Sequence, residues 1–159
     1  MKLARAINFD ESDQNIFHQP ARTGEWAISG GFEFSNWGEA DLTGKSRQAF
    51  ANGWLGVETY GRVTFVAATK IEPAEFEALA DALAQHFVSI YGAPSLEQAR
   101  PVALEELNHM ADLCSDQDAN TLLSVSRELT ETGVNEAYRI IESPEAGLEQ
   151  FAIHVDMDE

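Results

Sequence analysis

Residues 24–71 read GEWAISGGFEFSNWGEADLTGKSRQAFANGWLGVETYGRVTFVAATKI. This stretch holds all 3 tryptophans of the chain (Trp26, Trp37, Trp54), most of its glycines, and Phe32, Phe34, Phe50, Tyr60 and Phe65. Aromatic side chains bury large areas and dominate cores and interfaces. Glycines within strand-like sequence mark bulges, tight turns and close backbone approaches. Together they predict short antiparallel strands around an aromatic core. Glu25 to Phe34 reads as a strand bulged at Gly30-Gly31, followed by a loop through Asn36, Gly38 and Asp41. Ser46 to Asn52 reads as a helical turn carrying Phe50. Trp54 to Thr59 and Arg62 to Ile71 read as a hairpin turning at Tyr60-Gly61. The run Val63 to Ala68 is the most strand-like segment and belongs near the sheet centre. The competing reading of the stretch is a binding surface, with Trp37 and Trp54 as stacking contacts and Arg62 as a polar one.

Downstream lies a pair of helices. Pro73 suits a first helical position, Glu72, Glu75 and Glu77 suit the positive end of the helix dipole, and Gly92 with Pro94 stops the element at Tyr91. Phe76, Leu79, Ala80, Leu83, Phe87 and Ile90 share one face. Ser95 to Ser115 forms the second helix, opened by a capping box at Ser95 and Gln98. Pro101 leaves two options, a kink or a start at Pro101 itself. Its apolar stripe is Leu96, Ala103, Leu107, Met110 and Cys114.

The ends of the chain read as strands. Lys2 to Phe9 alternates with period two, which puts Arg5 on the apolar side with Leu3 and Ile7. Asp10 to Asp13 breaks it, and Asn15 to His18 reads as a short extended piece. Thr121 to Leu129 and Val134 to Glu142 form a hairpin around Glu131-Thr132-Gly133. Ser143-Pro144 ends that hairpin, Gln150 to Val155 reads as a last edge strand, and 156–159 as a frayed acidic tail. The expected fold is a single α+β domain over 1–159. It is a mostly antiparallel sheet with two consecutive helices, at about 73–91 and 95–115, packed on one face.

The charge balance is −17 at pH 7, with lysine only at positions 2, 45 and 70. A field of that sign repels phosphate backbones and anionic membrane surfaces, which argues against nucleic acid and membrane as partners. It favours a basic protein partner or solubility alone. The lone Cys114 forms no internal disulfide and no paired-cysteine zinc site. With no hydrophobic leader at the N-terminus, the expected compartment is a reducing cytoplasm.

Local motifs carry little chemistry. Gly44-Lys45-Ser46 matches the end of a phosphate-binding loop, but Glu39 stands where that loop needs glycine. Glu106 and His109 have the helical spacing of one half of a di-iron site without the other half. The helical wheel sets His109 with Glu105 and Asp112 on a solvated polar face. Cys114 lies on an apolar stripe flanked by Asp112 and Asp116, which suits a buried structural thiol better than a nucleophile. His18, His86 and His154 have no ligand spacing, so no metal or cofactor is implied. Arg5, Arg62, Arg127 and Arg139 all fall in strands. They read as cross-strand partners of glutamates, such as Arg127 or Arg139 with Glu128 or Glu136; the alternative is convergence of two arginines on a bound carboxylate or phosphate.

The opening Met1 to Ile7, the Gly24 to Ile28 segment, and Leu42 to Phe50 followed by Gly53-Trp-Leu-Gly56 resemble a small alphaproteobacterial family known only as a domain of unknown function. The resemblance runs to about Arg139 and does not take in Phe151 to Glu159. It brings no catalytic residues. It implies an accessory role, because relatives are expected beside molybdenum-enzyme accessory genes. With no complete catalytic constellation, the reading of the sequence is a non-catalytic cytoplasmic interaction or accessory protein, partnered by a basic protein or by itself as a homodimer. The alternative is a small-molecule binder or enzyme with a pocket under residues 24–71, contacted by Trp37, Trp54 and Arg62.

Overall fold

The structure, a computed structural model, describes residues 1–7, 17–35 and 37–141. The expected end of the first strand at Phe9, the acidic break after it, the start of the Asn15 to His18 piece, the Ser143-Pro144 stop, the last edge strand and the acidic tail lie outside the described residues.

Seven strands and three α-helices are described. In chain order they are β1 (Lys2–Ile7), β2 (Trp26–Ile28), α1 (Gly44–Asn52), β3 (Trp54–Gly56), β4 (Arg62–Val63), β5 (Phe65–Lys70), α2 (Pro73–Tyr91), α3 (Leu96–Ser115), β6 (Leu122–Thr130) and β7 (Gly133–Ile141). The strands form one sheet in the order β4-β3-β2-β1-β5-β6-β7, each neighbouring pair antiparallel. The fold is therefore α+β with two consecutive helices on an antiparallel sheet. β4 and β5 are separated only by Thr64, yet they hold the first and fifth places in the sheet. One residue spans only about 3.5 Å of extended chain. The sheet must curl until its β4 edge returns beside β5.

That curl corrects the expected long hairpin. Of the segment Arg62 to Ile71, β3 pairs only with Arg62 and Val63, and the chain then bends at Thr64 into β5, which pairs β1 on one side and β6 on the other. The expected strand through Phe34 also ends early, at Ile28. Gly30 takes a left-handed φ of 71°, and residues Gly31–Phe34 form a 3-10 turn. A Cβ at Gly30 would strike the Leu55 side chain, and one at Gly31 would strike the Glu136 carboxylate. The glycine pair thus turns the chain and lets two neighbours approach its backbone, instead of bulging a continuous strand.

Helix α3 is continuous through Pro101, capped by Ser95 Oγ accepting from the Gln98 amide at 3.2 Å. It lies on β1, β2 and β5, with α2 alongside it. Ala103, Leu107, Met110 and Cys114 are fully buried there with Leu3, Val66 and Leu83. Burial pushes the Cys114 thiol up to about 12, so it is a packed, protonated side chain at neutral pH. Arg5, on the apolar side of β1, lies 3.8 Å above the ring of its cross-strand neighbour Trp26 and donates to the Gly24 carbonyl. No described helix is long and apolar enough to cross a membrane.

Candidate functional site

Two arginines lie buried under the sheet edge and share one aromatic plate. Arg62 sits 4.5 Å and Arg127 5.1 Å from the centre of the Phe34 ring. Arg127 occupies an inward position of β6 beside Leu123 and Val125, directly opposite Glu136 on β7. Its Nε donates to Glu136 Oε2 at 2.6 Å. Its Nη1 donates to the carbonyls of Phe50 at 2.9 Å and Gly53 at 2.8 Å, and its Nη2 to that of Ser29. The C-terminal carbonyls of α1 thus find a cation supplied by a distant strand, which satisfies both their hydrogen bonding and the helix dipole. Arg62 donates to the carbonyls of Gly53 and Gly30, each at 3.0 Å, and to Glu33. Burial lowers the Arg62 pKa to about 10, with Glu33 opposing and Arg127 adding to the shift, so it stays charged at neutral pH. Of the readings for the strand arginines, the Arg127–Glu136 cross-strand pair is present. Arg62 and Arg127 also converge, but on internal carbonyls and carboxylates.

Each arginine starts a line of hydrogen bonds that ends at a cleft. In the first, Glu136 accepts from Arg127, from Ser29 Oγ at 2.8 Å and from the Tyr138 hydroxyl, which lies 2.9 Å from His109 Nε2 on α3. Burial pushes the Glu136 carboxyl up, but the hydrogen bonds from Tyr138 and Arg127 and the Arg127 charge outweigh it, and the group titrates below the usual range. Tyr138 is raised by burial and by its bond to Glu136. In the second line, Glu33 bonds Arg62 through one oxygen and accepts from the Tyr91 hydroxyl through the other at 2.7 Å. Tyr91 is raised by burial and by that bond.

The cleft has two lobes. A polar lobe of about 380 Å³ is walled by Ser29, Gly31, Phe32, Glu106, His109, Val134, Glu136 and Tyr138. An apolar lobe of about 390 Å³ is walled by Phe32, Phe87, Tyr91, Ala93, Pro94, Val102 and Glu106, with Gln98 and Ala99. Phe32 and Glu106 belong to both walls. Phe32 is held edge-on to Phe87 at 5.2 Å and to Tyr91 at 5.7 Å. Each lobe has the size of a small-molecule site. Burial raises the Glu106 pKa, His109 opposing.

The three residues singled out from sequence stand around this cleft, not in either wall. Trp54 is fully buried and stacks on Tyr138 at 5.8 Å, supporting it from below. Arg62 is buried at the root of the Tyr91 line. Trp37 packs edge-on against Phe34 at 4.8 Å. Glu105, His109 and Asp112 are exposed, as expected of that helix face, and His109 with the partly buried Glu106 also borders the polar lobe. The signal lay in β7: Val134, Glu136 and Tyr138 alternate onto one face, opposite an inward Arg127. His86 stacks on Tyr60 at 3.6 Å, and its Nε2 has no hydrogen-bond partner among the described residues. Among the described residues no group of three or more His, Cys, Asp or Glu side chains could hold a metal.

The architecture and cleft define an α+β protein with a curled antiparallel sheet and a two-lobed amphipathic site. The chain belongs to the family of unknown function DUF6505, whose model matches residues 1–159 and so extends past Arg139 through the tail. No curated protein and no solved structure matches it.

Proposed function

We propose that this protein binds a small amphipathic molecule in the cleft between the α2–α3 turn and the β6–β7 hairpin. The observation that carries this reading is the shared wall. Phe32 and Glu106 join a lobe lined by hydrogen-bonding groups to one lined by aromatic and aliphatic carbon. The polar groups are held in place by buried arginines, which fixes their geometry before any ligand arrives. Ser29, Gly31 and Phe32 of the 24–71 segment wall the site, and Trp54 and Arg62 act on it through Tyr138 and through Glu33 and Tyr91.

Native mass spectrometry of protein purified gently from its host tests the reading. A retained small molecule is expected, and Val102→Trp, at an exposed helical position that lines the apolar lobe, abolishes its retention while the fold is kept. A bare protein that also gains no thermal stability across a metabolite panel refutes it.

A second reading is the non-catalytic accessory protein, including the link to molybdenum-enzyme maturation that the family resemblance implies. Ile90, Tyr91, Leu96 and Val102 are exposed around the α2–α3 turn, and this apolar surface supports docking of a protein partner or of a second copy. A monomer at high micromolar concentration in sedimentation, with no change on Ile90→Ser and Val102→Ser, removes the homodimer from it.

A further inference from the structure

The open hydrogen-bonding capacity of the cleft side chains is nearly all of one kind. Glu136 is ionised and therefore only accepts. Arg127, Ser29 and Tyr138 all donate to it. The single hydroxyl proton of Tyr138 is spent in that bond. Its contact with His109 at 2.9 Å must then be donated by the histidine, from Nε2–H to the Tyr138 oxygen. His109 Nδ1 makes no hydrogen bond among the described residues. The hydroxyl proton of Tyr91 is likewise spent on Glu33. Glu106, at the junction of the lobes, has no hydrogen bond or ion pair among the described residues, although it is partly buried. Gln98, at the far side of the apolar lobe, has an amide that can donate or accept.

A partly buried carboxylate with no hydrogen-bond partner among the described residues, offset only by the charge of His109, is costly unless a ligand supplies a partner. The group that answers an acceptor-rich site is a donor with several N–H bonds and a positive charge. Resting on the reading of the cleft as a binding site, we infer that its ligand is an organic ammonium. Its cationic head pairs with Glu106 within reach of His109, and its aromatic or aliphatic body fills the lobe formed by Phe32, Phe87, Tyr91 and Val102. Aromatic faces beside the head tolerate a cation better than an anion. The net charge of −17 also raises the local concentration of cations and repels carboxylate analogues.

Calorimetric titration of the full chain with phenylpropylamine, phenylpropanol and phenylpropanoic acid separates the possibilities. These probes share one body and differ only in the head. The amine is expected to bind about tenfold or more tighter than the alcohol, the gain of a charge-assisted hydrogen bond, and the acid weakest. Glu106→Gln, checked for an unchanged circular dichroism spectrum, should bring the amine down to the alcohol while leaving the alcohol unchanged. Equal binding by all three, or an amine preference that survives Glu106→Gln, overturns the ligand class and leaves the cleft reading intact. No binding by any probe at millimolar concentration overturns both.

Discussion

The two lines that run out of the arginine pair have the same chemistry and different ends. Arg127–Glu136–Tyr138 finishes on His109 in the polar lobe, whereas Arg62–Glu33–Tyr91 finishes at a phenol in the apolar lobe. The first also caps the C-terminus of α1 and bridges β6 to β7. The second ties the Gly31–Phe34 turn to the end of α2. A buried guanidinium serves here as an anchor for backbone, and its carboxylate and tyrosine then position a wall of the cleft. Glu106 belongs to neither line, and in the proposed reading of the cleft it is the group that meets the ligand.

Arg127→Met should break the comparison most severely. It takes the guanidinium from Glu136 and from the Phe50 carbonyl and leaves the carbonyls of Gly53 and Ser29 to Arg62 alone, a loss of about 3–5 kcal/mol on the pattern of broken buried ion pairs. Arg62→Met should cost less, about 2–3 kcal/mol, because fewer buried carbonyls lose a donor. Urea denaturation of both variants checks the order, and a reversed order refutes the view of Arg127 as the main anchor.

Glu136→Gln comes next, at about 2–3 kcal/mol near neutral pH, since it strands a buried arginine. The folded Glu136 titrates below its ordinary value of 4.5. Its stabilisation is therefore present above that value and lost as pH falls through the folded pKa. Stability curves of wild type and variant should converge in acid; a gap that stays constant with pH contradicts the ion pair.

Tyr138→Phe removes the bonds to both Glu136 and His109 and should cost about 1–1.5 kcal/mol, whereas Tyr91→Phe removes one half-exposed bond and should cost about 0.5 kcal/mol. Thermal melts compare them, and a Tyr91 effect as large as that of Tyr138 makes the two lines equivalent. The smallest effect should have the opposite sign. Folded Glu106 titrates above 4.5, so the stability it contributes is present below that value and is lost as pH rises through the folded pKa. Glu106→Gln should be neutral to stabilising at pH 7, with the gain vanishing in acid. Destabilisation at pH 7 would show that Glu106 has an internal partner.

The helices show what local pattern can carry. Pro73, Gly92 and Ser95 mark boundaries through backbone geometry and caps that depend only on near neighbours, and the buried stripes of α2 and α3 follow from a 3.6-residue period except at the helix ends, where Ile90 and Leu96 are exposed. The β6–β7 hairpin is equally legible, because alternation and a short glycine turn are local too. The break at Gly30 and the bend at Thr64 are not. The first depends on Leu55 and Glu136 pressing against a glycine backbone, and the second on a sheet that closes toward its own edge.

The site divides along the same line. The sequence by itself determined an acidic α+β chain, its two helices, and a β6–β7 hairpin with arginines and glutamates on facing strands; the register that sets Arg127 opposite Glu136 came with the structure. Only the tertiary structure decided that the polar face of α3 looks across at Tyr138, and that Arg62 and Arg127 meet on Phe34. It also decided that Glu106, with no hydrogen bond or ion pair among the described residues, stands between two lobes. A periodic pattern states which side of an element is polar. What that side faces depends on contacts between residues far apart in the chain, and the curl of the sheet supplies them.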